Sequence, residues 1–372
     1  MIQSVLVYTV TLLSMMTWAA VSSRNFNVSK KSTLSYADWF AIIIFAVIFG
    51  IRYNVGIDYA NYTNLYFSSD FERTEFLFRA ISELLCKNDV HIVIFFTLWA
   101  FLQIFFVYQA FKQQKWIYPF LLFTLFCGQY FLLWMNVIRQ DIAACIFIFS
   151  ISYVADKKII KYLVCCFIAL GFHKSAAILF LVYPLFQIKK EYFKNRILQL
   201  FILFFAIIFG VYEGGLIQIL DSAISLFMTT FGYEGYGFGG IEGSLQKISV
   251  GSTFLTRLII NIITVLYSKK VKSFFSNKDT RIFIFYDLFF FGIVMNYLLS
   301  ESFILLRIVR YFNFFGFIIT AYLLYYLYKN YKQSHLNKLT FWGMIVLYVF
   351  HYMLLFTYSA DTCYMYNFIW EF

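Results

Sequence analysis

Trp39-Phe-Ala-Ile-Ile-Ile-Phe-Ala-Val-Ile-Phe-Gly-Ile51 runs without a charge into Arg52-Tyr-Asn-Val-Gly-Ile-Asp-Tyr-Ala-Asn-Tyr62. The first stretch is apolar throughout, as a segment in hydrocarbon must be. The second brings charge, aromatic rings and a glycine to the edge of that run. Charge beside hydrocarbon is costly and marks a pathway or a site by default. The mixture recurs at Asn136-Val-Ile-Arg-Gln-Asp141, at Phe172-His-Lys-Ser175 and at Arg307-Ile-Val-Arg-Tyr311.

The whole chain follows the lead of that run. Of its 372 residues, 62% are hydrophobic and 13% charged. A soluble domain averages about 45–50% apolar and about 25% charged. The composition therefore describes an integral membrane protein, and residues 1–372 read as a single polytopic domain with no polar linker. The net charge of +11 is no nucleic-acid signal. Its basic residues sit in short clusters between apolar runs, as in cytoplasmic loops. Six cysteines are scattered without paired spacing, so neither a disulfide framework nor a metal site is expected. No cofactor is implied.

A span needs about 20 apolar residues. Ten runs are candidate full spans: 2–21, 39–51, 91–111, 116–134, 142–155, 197–212, 252–268, 282–299, 311–328 and 339–358. No alternating pattern of short strands marks a barrel, so the expected class is all-α. The run 2–21 has its basic residues after it (Arg24, Lys30, Lys31) rather than before. That is the reverse of a secretory signal peptide and reads as a retained span with its N-terminus outside.

Loop charge sets the remaining orientation. Lys112 and Lys115 read as inside, and so do Lys157, Lys158 and Lys161, then Lys189, Lys190, Lys194 and Arg196. Only one apolar stretch, 162–186, lies between the last two clusters, and His173-Lys174-Ser175 interrupts it. A single crossing would put one cluster outside. A short helical hairpin with His173 at its tip keeps both inside, and broken backbone at membrane depth is tolerated where protein covers it. On that reading all of the polar constellations fall on the outer face.

Each constellation has a chemical reading beside a plain one. Gly56 permits a tight turn between Arg52 and Asp58. Tyr59 and Tyr62 offer flat faces and hydroxyls that suit sugar rings; the alternative is an interfacial anchor. Arg139 can clamp a phosphate bidentately, or it can snorkel to headgroups or pair with Asp141. His173 can accept a proton near neutral pH, with Lys174 beside it to attract phosphate; a packing histidine is the plain reading. Arg307 and Arg310 lie three residues apart, on nearly one helix face, beside Tyr311. They are placed to hold a pyrophosphate or to anchor the helix. The glycine-rich stretch 232–243 lacks the Gly-Lys-Ser/Thr ending of a phosphate-binding loop and reads as an outer loop, after an amphipathic stretch at 216–231.

These blocks carry a resemblance. Arg52-Tyr-Asn-Val-Gly-Ile-Asp58 with Tyr59 and Tyr62 resembles the Arg-x-x-x-Gly-x-Asp-x-x-x-Tyr signature of EpsG-like proteins. Ile138-Arg-Gln140, the basic turn 156–161 and Ala169-Leu-Gly-Phe-His-Lys-Ser175 resemble that family's central block, and Leu306-Arg-Ile-Val-Arg-Tyr-Phe312 its late region. Asp141 departs from the small or apolar residue expected after Arg139-Gln140. The resemblance implies a polymerase of the O-antigen, capsule and exopolysaccharide class (Wzy-like), with a GT-C-like fold and no metal. It implies oligosaccharide units on undecaprenyl pyrophosphate as substrates, at the outer face of a bacterial inner membrane, with a chain-length regulator and a flippase as partners.

Residues and resemblance together give one expected mechanism. Arg139, Arg307, Arg310 and Lys174 would stabilise a leaving pyrophosphate. His173 or Asp58 would take the acceptor proton, while Arg52, Tyr59, Tyr62 and Tyr311 would contact substrate. A lipid-linked oligosaccharide flippase is the rival from another class, although no internal repeat of the transporter kind is visible. A related glycan ligase is the rival within the class.

Overall fold

The computed structural model describes residues 2–24, 33–210, 250–300, 302–358 and 365–371. Lys30, Lys31, the stretches 216–231 and 232–243, and Cys363 lie outside the described residues. Among the described residues the fold is all helix, with one isolated antiparallel bridge between Arg52 and Phe368. The helices fall into two compact units, Met1–Pro184 with Thr320–Phe372, and Leu185–Ile319.

The first unit opens with α1 (Ile2–Arg24) and α2 (Tyr36–Gly50), continues through two short polar-edged helices, α3 (Tyr59–Ser68) and α4 (Phe76–Lys87), and returns along α5 (Ile92–Phe111). A bent pair follows, α6 (Tyr118–Cys127) and α7 (Tyr130–Asn136), then α8 (Ile138–Ala155) and α9 (Ile159–Phe172). A 3-10 helix, Lys174–Leu181, leads into α10 (Val182–Ile188). The second unit holds α11 (Arg196–Ile208), α12 (Ser252–Phe275), α13 (Ile282–Leu298) and α14 (Phe303–Asn313). Next come α15 (Phe315–Lys329), where the chain passes back to the first unit, and α16 (His335–Tyr358).

The ten expected full spans are not all met among the described residues. Five described helices are long and apolar enough to cross a membrane: Ile2–Arg24, Ile92–Phe111, Ile138–Ala155, Leu305–Lys329 and His335–Thr357. Lys115–Cys127 and Tyr130–Asn136, bent by 66°, make a sixth if they are one span. The rest are cut short. Helix α2 has 15 residues, which at about 1.5 Å per residue falls well below a hydrocarbon core of about 30 Å; α9, α11 and α13 have 14, 13 and 17. An apolar run shows what a segment can touch, but helix length depends on where the backbone breaks.

One break lies between α6 and α7. Gln129 there takes a left-handed conformation, φ 62°, and its side chain donates to the His351 carbonyl at 2.5 Å. At the start of the chain, a buried ion pair fixes the opposite end of α2 from Arg52. Lys115 Nζ lies 2.6 Å from Asp38 Oδ2, with both side chains at most 5% exposed. Asp38 also accepts from the Ser35 amide and hydroxyl. All three donors converge on Oδ2, which stabilises the charged carboxylate at a buried site.

Candidate active site

Helix α7 ends at Asn136, and Val137 (ψ 56°) turns the chain into α8. Such a break leaves helix carbonyls without their amide partners. Two side chains, one from α5 and one from the turn after α2, supply donors. Gln103 of α5 donates to Trp134 O at 3.1 Å, and Arg52 donates to Met135 O at 3.1 Å. Arg52 also donates to Phe49 O at 2.5 Å and lies 4.7 Å over the Phe96 ring. It is 2% exposed. In this structure Arg52 closes a helix break. Gly56, at φ 95°, makes this approach possible, because a Cβ there would run into Asn136 Oδ1.

The tyrosines of the same block are covered as well. Tyr59 stacks on Phe96 at 4.9 Å, and Tyr62 sits 6.0 Å from Phe78; both are under 7% exposed. Burial raises both hydroxyls above the usual tyrosine range, partly offset by Arg52 for Tyr59 and by Arg139 for Tyr62. Asp58 is half-buried at the N-cap position of α3, near Tyr62.

Helices α8 and α9 then build the centre of the site. Lys157, with φ 59°, turns the chain sharply after α8, so α9 runs back beside it. His173, extended at φ −158°, ends α9 and returns the chain to the level of Arg139. The limb beyond it folds back again: Tyr162 Oη donates to Leu179 O at 2.6 Å, and its ring lies 5.6 Å from Tyr183. His173 is thus at the tip of a short hairpin. Its Nδ1 lies 2.7 Å from Ser175 Oγ and accepts from the Ser175 amide at 3.3 Å. Gln140 Nε2 reaches the same Ser175 Oγ at 3.5 Å.

The residue that joins these blocks is one the sequence reading passed over. Glu75, at the N-cap of α4, forms an ion pair with Arg139 through Oε2 and accepts from the Lys174 amide through Oε1 at 3.2 Å. Helix α4 comes this close to α9 because Gly171 has no side chain; a Cβ there would lie 2.6 Å from Leu77 Cγ. Arg139 also lies beside Tyr62, and its guanidinium is 5.8 Å over Phe78. Its side chain is 27% exposed against 10% for Glu75, and Nε is buried without a hydrogen-bond partner among the described residues. Lys174 is exposed and His173 8% exposed.

Arg52, Asp58, Tyr59, Tyr62, Arg139, His173 and Lys174 therefore belong to one unit, and three sequence blocks meet there around Glu75. Arg307, Arg310 and Tyr311 belong to the second unit. Tyr311 is fully buried and the two arginines are half-buried on α14. In that unit Lys272 pairs with Glu191 at 2.5 Å, and the buried Asp287 accepts from the Tyr192 and Phe193 amides at 2.6 and 3.3 Å. Among the described residues, no group of three or more His, Cys, Asp or Glu is arranged to hold a metal.

The model of the EpsG family matches residues 36–369, a range that starts at α2 and ends in the segment bridged to Arg52. No curated protein and no solved structure matches the chain.

Proposed function

The chain belongs to the EpsG family, and on that premise we propose that it is a polysaccharide polymerase joining oligosaccharide units carried on undecaprenyl pyrophosphate. The observation that carries the reading is the meeting of Arg139, His173 and Lys174 at one end of the α8–α9 hairpin. A pyrophosphate leaving group needs positive charge where its own charge develops, and fixed cations at a membrane boundary supply it more effectively than in open water.

In this proposal the acceptor sugar's hydroxyl oxygen attacks the anomeric carbon of the donor unit. The bond from that carbon to the pyrophosphate oxygen breaks, and the pyrophosphate lipid leaves with the electron pair. Attack opposite the leaving group inverts the anomeric centre. Arg139 and Lys174 stabilise the leaving group; Arg307 and Arg310 are further candidate cations on their sequence pattern. The acceptor proton goes to His173 or Asp58. For His173 this requires Nδ1 to give up the bond it accepts from the Ser175 amide and to carry its proton toward Ser175 Oγ, which leaves Nε2 as the free base. The site is proposed to face the outer side of a bacterial inner membrane, where a flippase delivers units and a chain-length regulator acts on the product.

The test uses the purified chain in vesicles with a labelled lipid-linked repeat unit. A ladder of joined units without net translocation supports the polymerase. Arg139→Ala, His173→Ala and Asp58→Asn are expected to shorten or abolish it, and long polymer from all three variants rejects the site. Transport without joining would instead identify a flippase.

A further inference from the structure

We infer that Glu75 is a positioning residue that acts through Arg139, holding its guanidinium at the hairpin tip and competing with the donor's pyrophosphate for it. The inference rests on the polymerase reading above and deepens it. The carboxylate has two partners from separate parts of the chain: the Arg139 guanidinium and the Lys174 amide. It therefore sets the distance between the first turn of α8 and the His173 tip. It is also the more covered member of its pair, 10% against 27%, so an incoming anion meets the guanidinium first.

Arg139 keeps other anchors when it turns toward a phosphate. Tyr62 and the face of Phe78 lie against it, and its Nε is buried with no partner among the described residues. A guanidinium can hold a carboxylate or a phosphate in the same bidentate geometry. Glu75 Oε2 thus occupies one guanidinium nitrogen, Nη1, that a pyrophosphate oxygen would use. Without the carboxylate, Arg139 presents an uncompensated charge and binds pyrophosphate more tightly. Release of that product is then slower, and the hairpin tip loses its tie to α4.

The experiment measures equilibrium binding of undecaprenyl pyrophosphate to the full chain in lipid nanodiscs, with thermal unfolding recorded for every variant. A charged hydrogen bond is worth about one to two factors of ten. Glu75→Gln is therefore expected to bind about tenfold tighter, and Glu75→Asp, which cannot span both partners, about threefold tighter. In an Arg139→Gln background, Glu75→Gln is expected to change binding by less than about twofold, since coupled partners lose their effect when either is absent. A purely structural Glu75 would lower the unfolding temperature and leave affinity unchanged or weaker. The inference is overturned if neither folded variant binds tighter, or if tightening persists without Arg139. Should Glu75→Gln fail to fold, the Glu75→Asp arm decides alone. A wild-type chain that does not bind undecaprenyl pyrophosphate overturns the donor assignment itself, and this inference with it. Wild-type binding without tightening in the variants overturns only the role of Glu75.

Discussion

Arg52 places a full charge at 2% exposure and answers it with two backbone carbonyls and a phenyl face. Removing it leaves Met135 O without that donor beside the helix break. Arg52→Ala is expected to lower stability by about 3 kcal/mol, read as a fall in unfolding temperature in detergent; Arg52→Lys, which has no fork to reach both carbonyls, recovers only part of it. At Gly56 any side chain meets both a positive φ and Asn136, so Gly56→Ala is expected to destabilise by about 1–3 kcal/mol. The tyrosines give a pH dependence. Burial raises Tyr59 and Tyr62 above their usual range near pH 10, so below that pH both states keep their protons. Above it the unfolded chain loses protons first, and stability falls as pH rises. Alkaline unfolding of Tyr62→Phe is therefore expected to be less steep than that of the wild type. Arg139 and His173 were legible because each puts charge or a polar ring beside an apolar run, which hydrocarbon disfavours, and Gly56 because it stands between Arg52 and Asp58. Glu75 was not. It follows Asp70, Glu72 and Arg73 in a stretch that reads as solvated loop, and only its position at the start of α4 sets it apart.

At the scale of elements, the deciding feature is the short hairpin that α9 makes with the 3-10 limb after His173. Tyr162 ties the two limbs through Leu179 O. Tyr162→Phe is expected to loosen them by about 1–2 kcal/mol, detectable as faster amide exchange in residues 174–181 with little change elsewhere. The break at His173 could be anticipated, since the loop-charge rule asks for both flanking basic clusters on one side. Spans were harder to read. Hydropathy records apolar content, so the runs at α2 and α13 look like crossings; their lengths are fixed by local backbone ends that apolar content does not encode. The α6–α7 bend is of the same kind: Gln129 reaches a carbonyl 222 residues away, a pairing no local pattern announces.

For the whole molecule, α8 separates Arg139 from the basic turn at Lys157 by a full span of 18 residues. In intact cells, Lys174→Cys is expected to react with an impermeant thiol reagent from outside and Lys157→Cys only after the membrane is opened; the reverse pattern rejects the orientation. The bridge between the two ends of the first unit has a further consequence. Ile369 donates to Ile51 O at 2.9 Å, Tyr53 to Asn367 O at 2.9 Å, and Tyr366 reaches Ile48 O, 318 residues earlier. The turn that carries Arg52 thus waits for its last neighbour until ribosomes have threaded every intervening helix into the bilayer. A nascent chain stalled before that point would hold its arginine and glycine motif unclasped, so assembly of this corner waits for residues 366–369 to arrive.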